Sequence, residues 1–196
     1  MTLHYRFVTY LIYLYLKIFR RLSIQGTKNI PADEAVIFAP NHTSNMDPFV
    51  VAASTDKAMG YFAKKELFFF PLGQLIGAFG AFPVNRQGNA TSAVRTAIFI
   101  LERGMSLTIF PEGTRNKTTA LLLPAKRGVS LIAKKTQTPV IPVAIQGSRG
   151  FFSKISIEFG KPIRSHLNQN TLPAKTKQDP LIEELMEDIA RMLTRS

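Results

Sequence analysis

The sequence predicts an α/β domain, a layered fold with a central β-sheet, mostly parallel or mixed, flanked by helices. Three observations predict it. Short β-rich apolar runs alternate with helical patterns along the chain, the order that gives layered α/β architectures. The runs are bounded by Gly, Pro and polar clusters, as strands buried in a sheet are. A length of 196 residues suits one globular domain, and a hydrophobic content of 45% is enough to build its core.

The strand candidates, in order, are "EAVIFA" (34–39), "GYFAK" (60–64), "MSLTIF" (105–110), "VIPVAI" (140–145) and "KISIEF" (154–159). Between them, "ATSAVRTAIFILERG" (90–104) reads as a helix, with Ala93, Ala97 and Leu101 on one face and Gly104 as its stop. "RGVSLIAKKT" (127–136) reads as another. Near the end, Asp179 and Pro180 form a cap followed by proline at the first helical position. Ile182, Leu185, Met186, Ile189 and Leu193 then make an apolar stripe suited to core packing. Residues 165–178 form a polar connector.

The N-terminal stretch "MTLHYRFVTYLIYLYLKIFRRL" carries an apolar run from Phe7 to Leu16 bounded by Arg6 and Lys17. A spanning helix needs about 20 apolar residues, so this run is too short to cross a bilayer. No small-residue cleavage site follows it; Lys17, Arg20 and Arg21 do. Tyr10, Tyr13 and Tyr15 suit a headgroup boundary. The expectation is a helix lying in the interface over residues 1–23, with its basic residues on anionic lipid, followed by the α/β domain over 24–196. A second apolar stretch, Leu67 to Val84, is interrupted by Pro71, Gly73, Gln74, Gly77 and Gly80, which argues against a transmembrane helix. Phe68 to Phe70 cannot all face inward on one helix, so some are expected to touch lipid or an acyl chain.

Charge narrows the partner. A formal net charge of +12 implies an anionic one: nucleic acid, a negative membrane face or a phosphate-bearing substrate. With no cysteine there is no disulfide framework, no thiol nucleophile and no Cys-based metal site. For nucleic acid, aromatic residues would be interleaved with Lys and Arg on an exposed surface; here they cluster in apolar runs.

Two constellations carry chemistry. "APNHTSNMDP" places His42 and Asp47 five residues apart. On one helix that spacing leaves the side chains roughly 140° apart, so the pair can meet only if His42 sits in a loop and Asp47 at the start of a helix, where Pro48 favours the first turn. Otherwise Asp47 merely caps that helix and His42 is a loop residue. "FPEGTR" (110–115) follows the strand "SLTI" and brings an acid, a glycine, a hydroxyl and a guanidinium to one strand end, where ligands sit in open α/β sheets. Arginine grips phosphate bidentately. Further cations stand at other strand ends, Lys64 after "GYFA", Arg86 after "FPVN" and Lys126 in "PAKRG"; any one alone reads as a solvated surface charge, and several together suggest a phosphate pocket.

Taken together, these stretches resemble the sequence blocks of the glycerolipid acyltransferases. "NHTSNMD" resembles the NHx4D block, "FAKKEL" with "GAFPVNR" the second, "FPEGTR" the third, and "TPVIPVAIQG" (138–147) the fourth. The resemblance runs from about Ile24 to Lys161, in the expected order, with one departure at Asn85, where an acid is common. It implies transfer of a fatty acyl group from acyl-CoA or acyl carrier protein to the sn-2 hydroxyl of 1-acylglycerol-3-phosphate, with these donors as co-substrates and no cofactor or metal. His42 would take the proton from the acceptor hydroxyl as that oxygen attacks the thioester, and Asp47 would hold the ring. Glu112, Gly113, Thr114 and Arg115 would bind the acceptor, with Lys64, Arg86 and Lys126 adding charge. The resemblance also implies an enzyme on the cytoplasmic face of a membrane. The alternatives are an acyltransferase acting on another lysophospholipid or a lyso-aminolipid, and a non-catalytic membrane-binding scaffold.

Overall fold

The computed structural model describes residues 3–64, 69, 73, 77, 81–84, 90–150, 152–164, 167 and 179–195. Its helices are α1 (Leu3–Phe19), α2 (Asp47–Ala53), α3 (Ala90–Glu102), α4 (Gly128–Thr136) and α5 (Pro180–Thr194). Its strands are β1 (Ser23–Gln25), β2 (Ile37–Pro40), β3 (Met59–Lys64), β4 (Ala81–Val84), β5 (Ser106–Thr108), β6 (Val140–Gln146) and β7 (Ser156–Phe159). They form one sheet of 7 strands in the order β1-β7-β6-β2-β5-β3-β4. The strands from β6 to β4 are mutually parallel, β7 runs antiparallel to β6, and β1 pairs parallel with β7. The sheet is therefore mixed and mostly parallel, as expected.

Why the strands are apolar throughout is visible in β2 and β6. Ile37 and Ala39 pack on one side of the sheet with Val140 and Ala144, while Val36 and Phe38 pack on the other with Ile141, Val143 and Ile145. Successive side chains of a strand point to opposite faces, so a strand covered on both sides needs hydrophobic residues at every position. One face is covered by α3, α4 and α5 through Ala97, Ile100, Val129, Ile132, Leu185 and Ile189. The other is covered by α1 and α2 through Leu16, Val50 and Val51. Each of the five expected strands is present. β1, with 3 residues, was not anticipated; β4, not among the strand candidates, stands where "FPVN" reads as a strand end.

Gly104 ends α3 with φ 73°, as its position after the apolar stripe suggests. In α5, Leu181, Leu185, Ile189 and Met192 are buried, with Ile182, Met186 and Leu193 packed beside them. The N-terminal helix departs from expectation in two side chains. Tyr10 and Tyr15 are exposed, but Tyr13 turns inward against the α2 side of the core. Arg20, expected on lipid, is buried at 3% exposure. Among the described residues no helix is long and apolar enough to cross a membrane. Of Phe68 to Phe70, expected in part to touch lipid or an acyl chain, only Phe69 is among the described residues, and it is exposed.

Asp179 fastens α5 to α4. Its carboxylate accepts the Leu181 N–H at the helix start, the Ser130 hydroxyl and the Lys134 ammonium, the last at 3.2 Å. Burial alone would push this carboxyl up; the hydrogen bonds from Ser130 and Lys134, the Lys134 charge and the Leu181 N–H outweigh it and hold the group below the usual carboxylate range. Because the native group titrates below its unfolded counterpart, its stabilisation is complete above the unfolded value of about 4 and is lost as pH falls through the native one. Asp179→Ala should therefore cost about 1–2 kcal/mol at neutral pH. The gap between wild type and variant should close below about pH 4, as urea unfolding at a series of pH values will measure.

Candidate active site

Strands β5, β2 and β6 lie side by side and run parallel, so their C-terminal ends emerge together. Open α/β sheets place ligand-binding loops at that edge. His42 follows β2, Phe110 follows β5 and Ser148 follows β6, each just past its strand. Residues far apart in sequence thus meet because their strands are neighbours.

Asp47 stands at the first residue of α2 with Pro48 next, and the loop before it folds back so that His42 Nδ1 lies 2.9 Å from Asp47 Oδ2. The same oxygen accepts the backbone N–H groups of Thr43 and Ser44, both at 2.7 Å. Asp47 does not cap α2; that position belongs to Met46, and the carboxylate serves the loop instead. It is fully buried, and its second oxygen, Oδ1, has no hydrogen-bond partner among the described residues. A carboxylate only accepts, so the ring proton belongs on Nδ1 and Nε2 keeps its lone pair. The imidazole is 13% exposed and stacks on Phe110, with ring centroids 3.8 Å apart and planes inclined by 22°. One edge of the ring is fixed by the acid and one face by the phenyl group.

The backbone of His42 is held by the loop after β5. Its N–H donates to Glu112 Oε1 at 2.8 Å, and its carbonyl accepts from the Asn116 N–H at 2.7 Å. The other Glu112 oxygen accepts the Leu123 N–H at 2.8 Å. Glu112 is 2% exposed and each of its oxygens accepts a backbone N–H, so in the structure this member of the expected acceptor-binding set braces two loops. A carboxylate facing a phosphate would also repel it.

The rest of "FPEGTR" turns outward. Gly113, with φ 65°, Thr114 and Arg115 are exposed. The Lys126 side chain lies across Gly113, its Cδ 2.7 Å from where a β-carbon would stand, and its ammonium joins this loop. Glycine is favoured at Gly113 on both counts, by the left-handed backbone and by the crossing lysine. Lys64 lies in β3, but its side chain is outside the described residues, as is all of Arg86. Among the described residues no group of three or more His, Cys, Asp or Glu side chains could hold a metal ion. A groove lined by Tyr5, Tyr10, Tyr13 and Ser54 between α1 and the end of α2 contains neither His42 nor the 112–115 loop.

Two further residues support this constellation, one inside the "NHTSNMD" block and one next to "FPEGTR". Asn41 exchanges two hydrogen bonds with the Ile145 backbone of β6, at 3.0 and 2.7 Å, and thereby anchors the start of the His42 loop. Asn116 is 1% exposed and bonds Thr118 and Ala120 as well as His42. Its adjacency to "FPEGTR" was the only cue available.

Comparisons with known proteins give the family. A sequence model described as "Acyltransferase" matches residues 21–146. The 1-acyl-sn-glycerol-3-phosphate acyltransferase of Bacillus subtilis (strain 168) is 30% identical over 178 residues, covering 87% of each chain. The enzyme of the same name from Borreliella burgdorferi is 29% identical over 174 residues, covering 87% of this chain and 69% of its own. Among solved structures, the 1-acyl-sn-glycerophosphate (LPA) acyltransferase PlsC from Thermotoga maritima superposes with a TM-score of 0.76 at 25% identity, covering 97% of this chain and 80% of that one. The chain belongs to the acyltransferase family, and it is an O-acyltransferase by the company it keeps in both sequence and fold.

Proposed function

We propose that the chain transfers a fatty acyl group from a thioester donor, acyl-CoA or acyl carrier protein, to the sn-2 hydroxyl of 1-acylglycerol-3-phosphate, giving phosphatidic acid. The observation that carries this reading is the 2.9 Å contact between His42 Nδ1 and Asp47 Oδ2, at the end of a strand whose neighbour β5 leads into the segment carrying the exposed Arg115 and Lys126. The acceptor hydroxyl oxygen attacks the thioester carbonyl while Nε2 takes its proton. The carbon–sulfur bond then breaks, and the departing thiolate leaves as free thiol with the proton returned by the imidazolium. Asp47 stabilises that imidazolium without taking its proton. No acyl-enzyme is needed, and the relatives' names supply the acceptor, a lysophosphatidate. Arg115 and Lys126 would hold its phosphate by charge-assisted hydrogen bonds.

The proposed working surface is a membrane. On α1, Phe7, Tyr10, Leu11, Tyr15, Ile18 and Phe19 are all exposed, Ile18 at 65%, on a helix whose opposite side is packed. A helix with one face in the core and an apolar outer face suits the headgroup boundary of a bilayer.

Thiol release from acyl-CoA and from acyl carrier protein, measured across a panel of lysophosphatidate, other lysophospholipids and lyso-aminolipids, tests the substrate. Turnover that requires lysophosphatidate supports the proposal; turnover with the others alone moves the acceptor, and none with any acceptor favours a scaffold. His42→Ala should lower kcat by about 10²–10⁴ while the melting transition stays in place. Arg115→Ala should raise the acceptor KM by about tenfold or more with little change in the donor KM. Ile18→Glu should weaken binding to anionic vesicles by at least about tenfold in a sedimentation assay.

A further inference from the structure

The loop joining β6 to β7 touches the catalytic residues only at second hand, yet it is tied to both loops that hold them. β7 runs antiparallel to β6, so the chain returns by a short connection at the site end of the sheet instead of crossing over through a helix. That connection, residues 147–155, starts at Gly147, whose φ is 73° and where a β-carbon would lie 1.9 Å from the Lys154 carbonyl oxygen. Ser148 is 3% exposed and shares a 3.0 Å hydrogen bond with Thr43, the residue beside His42 whose N–H donates to Asp47. The Arg149 guanidinium donates to the Asn116 carbonyl and, at 3.3 Å, to that of Thr118. Asn116 in turn donates its N–H to the His42 carbonyl.

Behind the loop stands Arg20. It donates Nε to the Ser153 carbonyl at 3.1 Å, and NH2 to the carbonyls of Gly147, at 3.0 Å, and Gly150. A buried guanidinium is costly unless its donors are met; here three carbonyls of one loop meet three of its five N–H groups and tie that loop to the end of α1.

We propose that Arg149 is a positioning residue, which, with Ser148 and the Arg20-held loop, fixes the His42 loop and the 110–118 loop relative to each other. The guanidinium spans two carbonyls, a geometry that the single ammonium of lysine does not reproduce. Its contribution is to the placement of an imidazole against an acceptor hydroxyl, where small displacements carry large rate costs. The proposal rests on His42 as the base, so the test includes a readout independent of turnover.

Arg149→Ala and Arg149→Lys should each lower kcat by about 10- to 100-fold, with acceptor and donor KM within about twofold of wild type. Amide exchange at residues 42–44 and 116–118 should speed up in both variants while exchange in β2 and β6 stays as in wild type. Ser148→Ala, which removes the Thr43 link, should shift exchange at 42–44 in the same direction. Unchanged kcat and unchanged protection at these amides would overturn the proposal. A rise confined to the acceptor KM would overturn it too, because Arg149 would then be a direct phosphate ligand. If exchange rises as expected while His42→Ala keeps its turnover, the base assignment fails and the positioning of the loops stands.

Discussion

One buried carboxylate governs how the site is assembled. Asp47 Oδ2 receives an imidazole nitrogen and two backbone N–H groups at once, and the loop from His42 to Met46 is wrapped around it. A charge at 0% exposure survives only where donors converge on it. Each donor left unmet in the interior costs about 1–3 kcal/mol, so loop conformation, ring orientation and acid position form a single cooperative unit. Replacing the acid would disturb the path of the loop as well as the chemistry of the ring.

The sheet supplies what that unit cannot. Placing β2 between β5 and β6 surrounds His42 with two neighbouring strand ends, one carrying Phe110 and Glu112, the other Ser148 and Arg149. The loop after β5 is divided by side: Glu112 and Asn116 turn in to grip the His42 backbone, while Gly113, Thr114 and Arg115 face out. One short segment thereby braces its neighbour with some residues and presents others to solvent, and the division follows from which residues find hydrogen-bond partners in the interior.

Much of this was legible in the sequence, and the limits have physical causes. β6 stood out because a strand covered on both faces is a continuous apolar run, and α5 because Asp179 and Pro180 announce its start. β1 did not, because 3 residues at the sheet margin leave no pattern to read. Tyr13 and Tyr10 look alike as residues; the rotation of the helix sends one inward and the other out. For His42 and Asp47, spacing allowed a local contact but left Asp47 as a mere helix cap equally open, and the pairing came from the resemblance of "NHTSNMD" to the NHx4D block. Ser148 and Arg149 could not be placed from sequence, because their partners lie 105 and 33 positions away and depend on strand order. The inward turn of Glu112 was hidden for the same reason.

Arg20 joins two parts of the chain that sequence order keeps apart. The first helix ends as Arg21 adopts φ 45° and Leu22 bonds back to the Leu16 carbonyl, and this reversal delivers the guanidinium beneath the loop of residues 147–153. The leading segment is therefore a structural component of this end of the sheet, not a detachable tether. A shortened protein lacking residues 1–20 would leave three carbonyls without their donor and uncover the face of the sheet that Leu16 packs against.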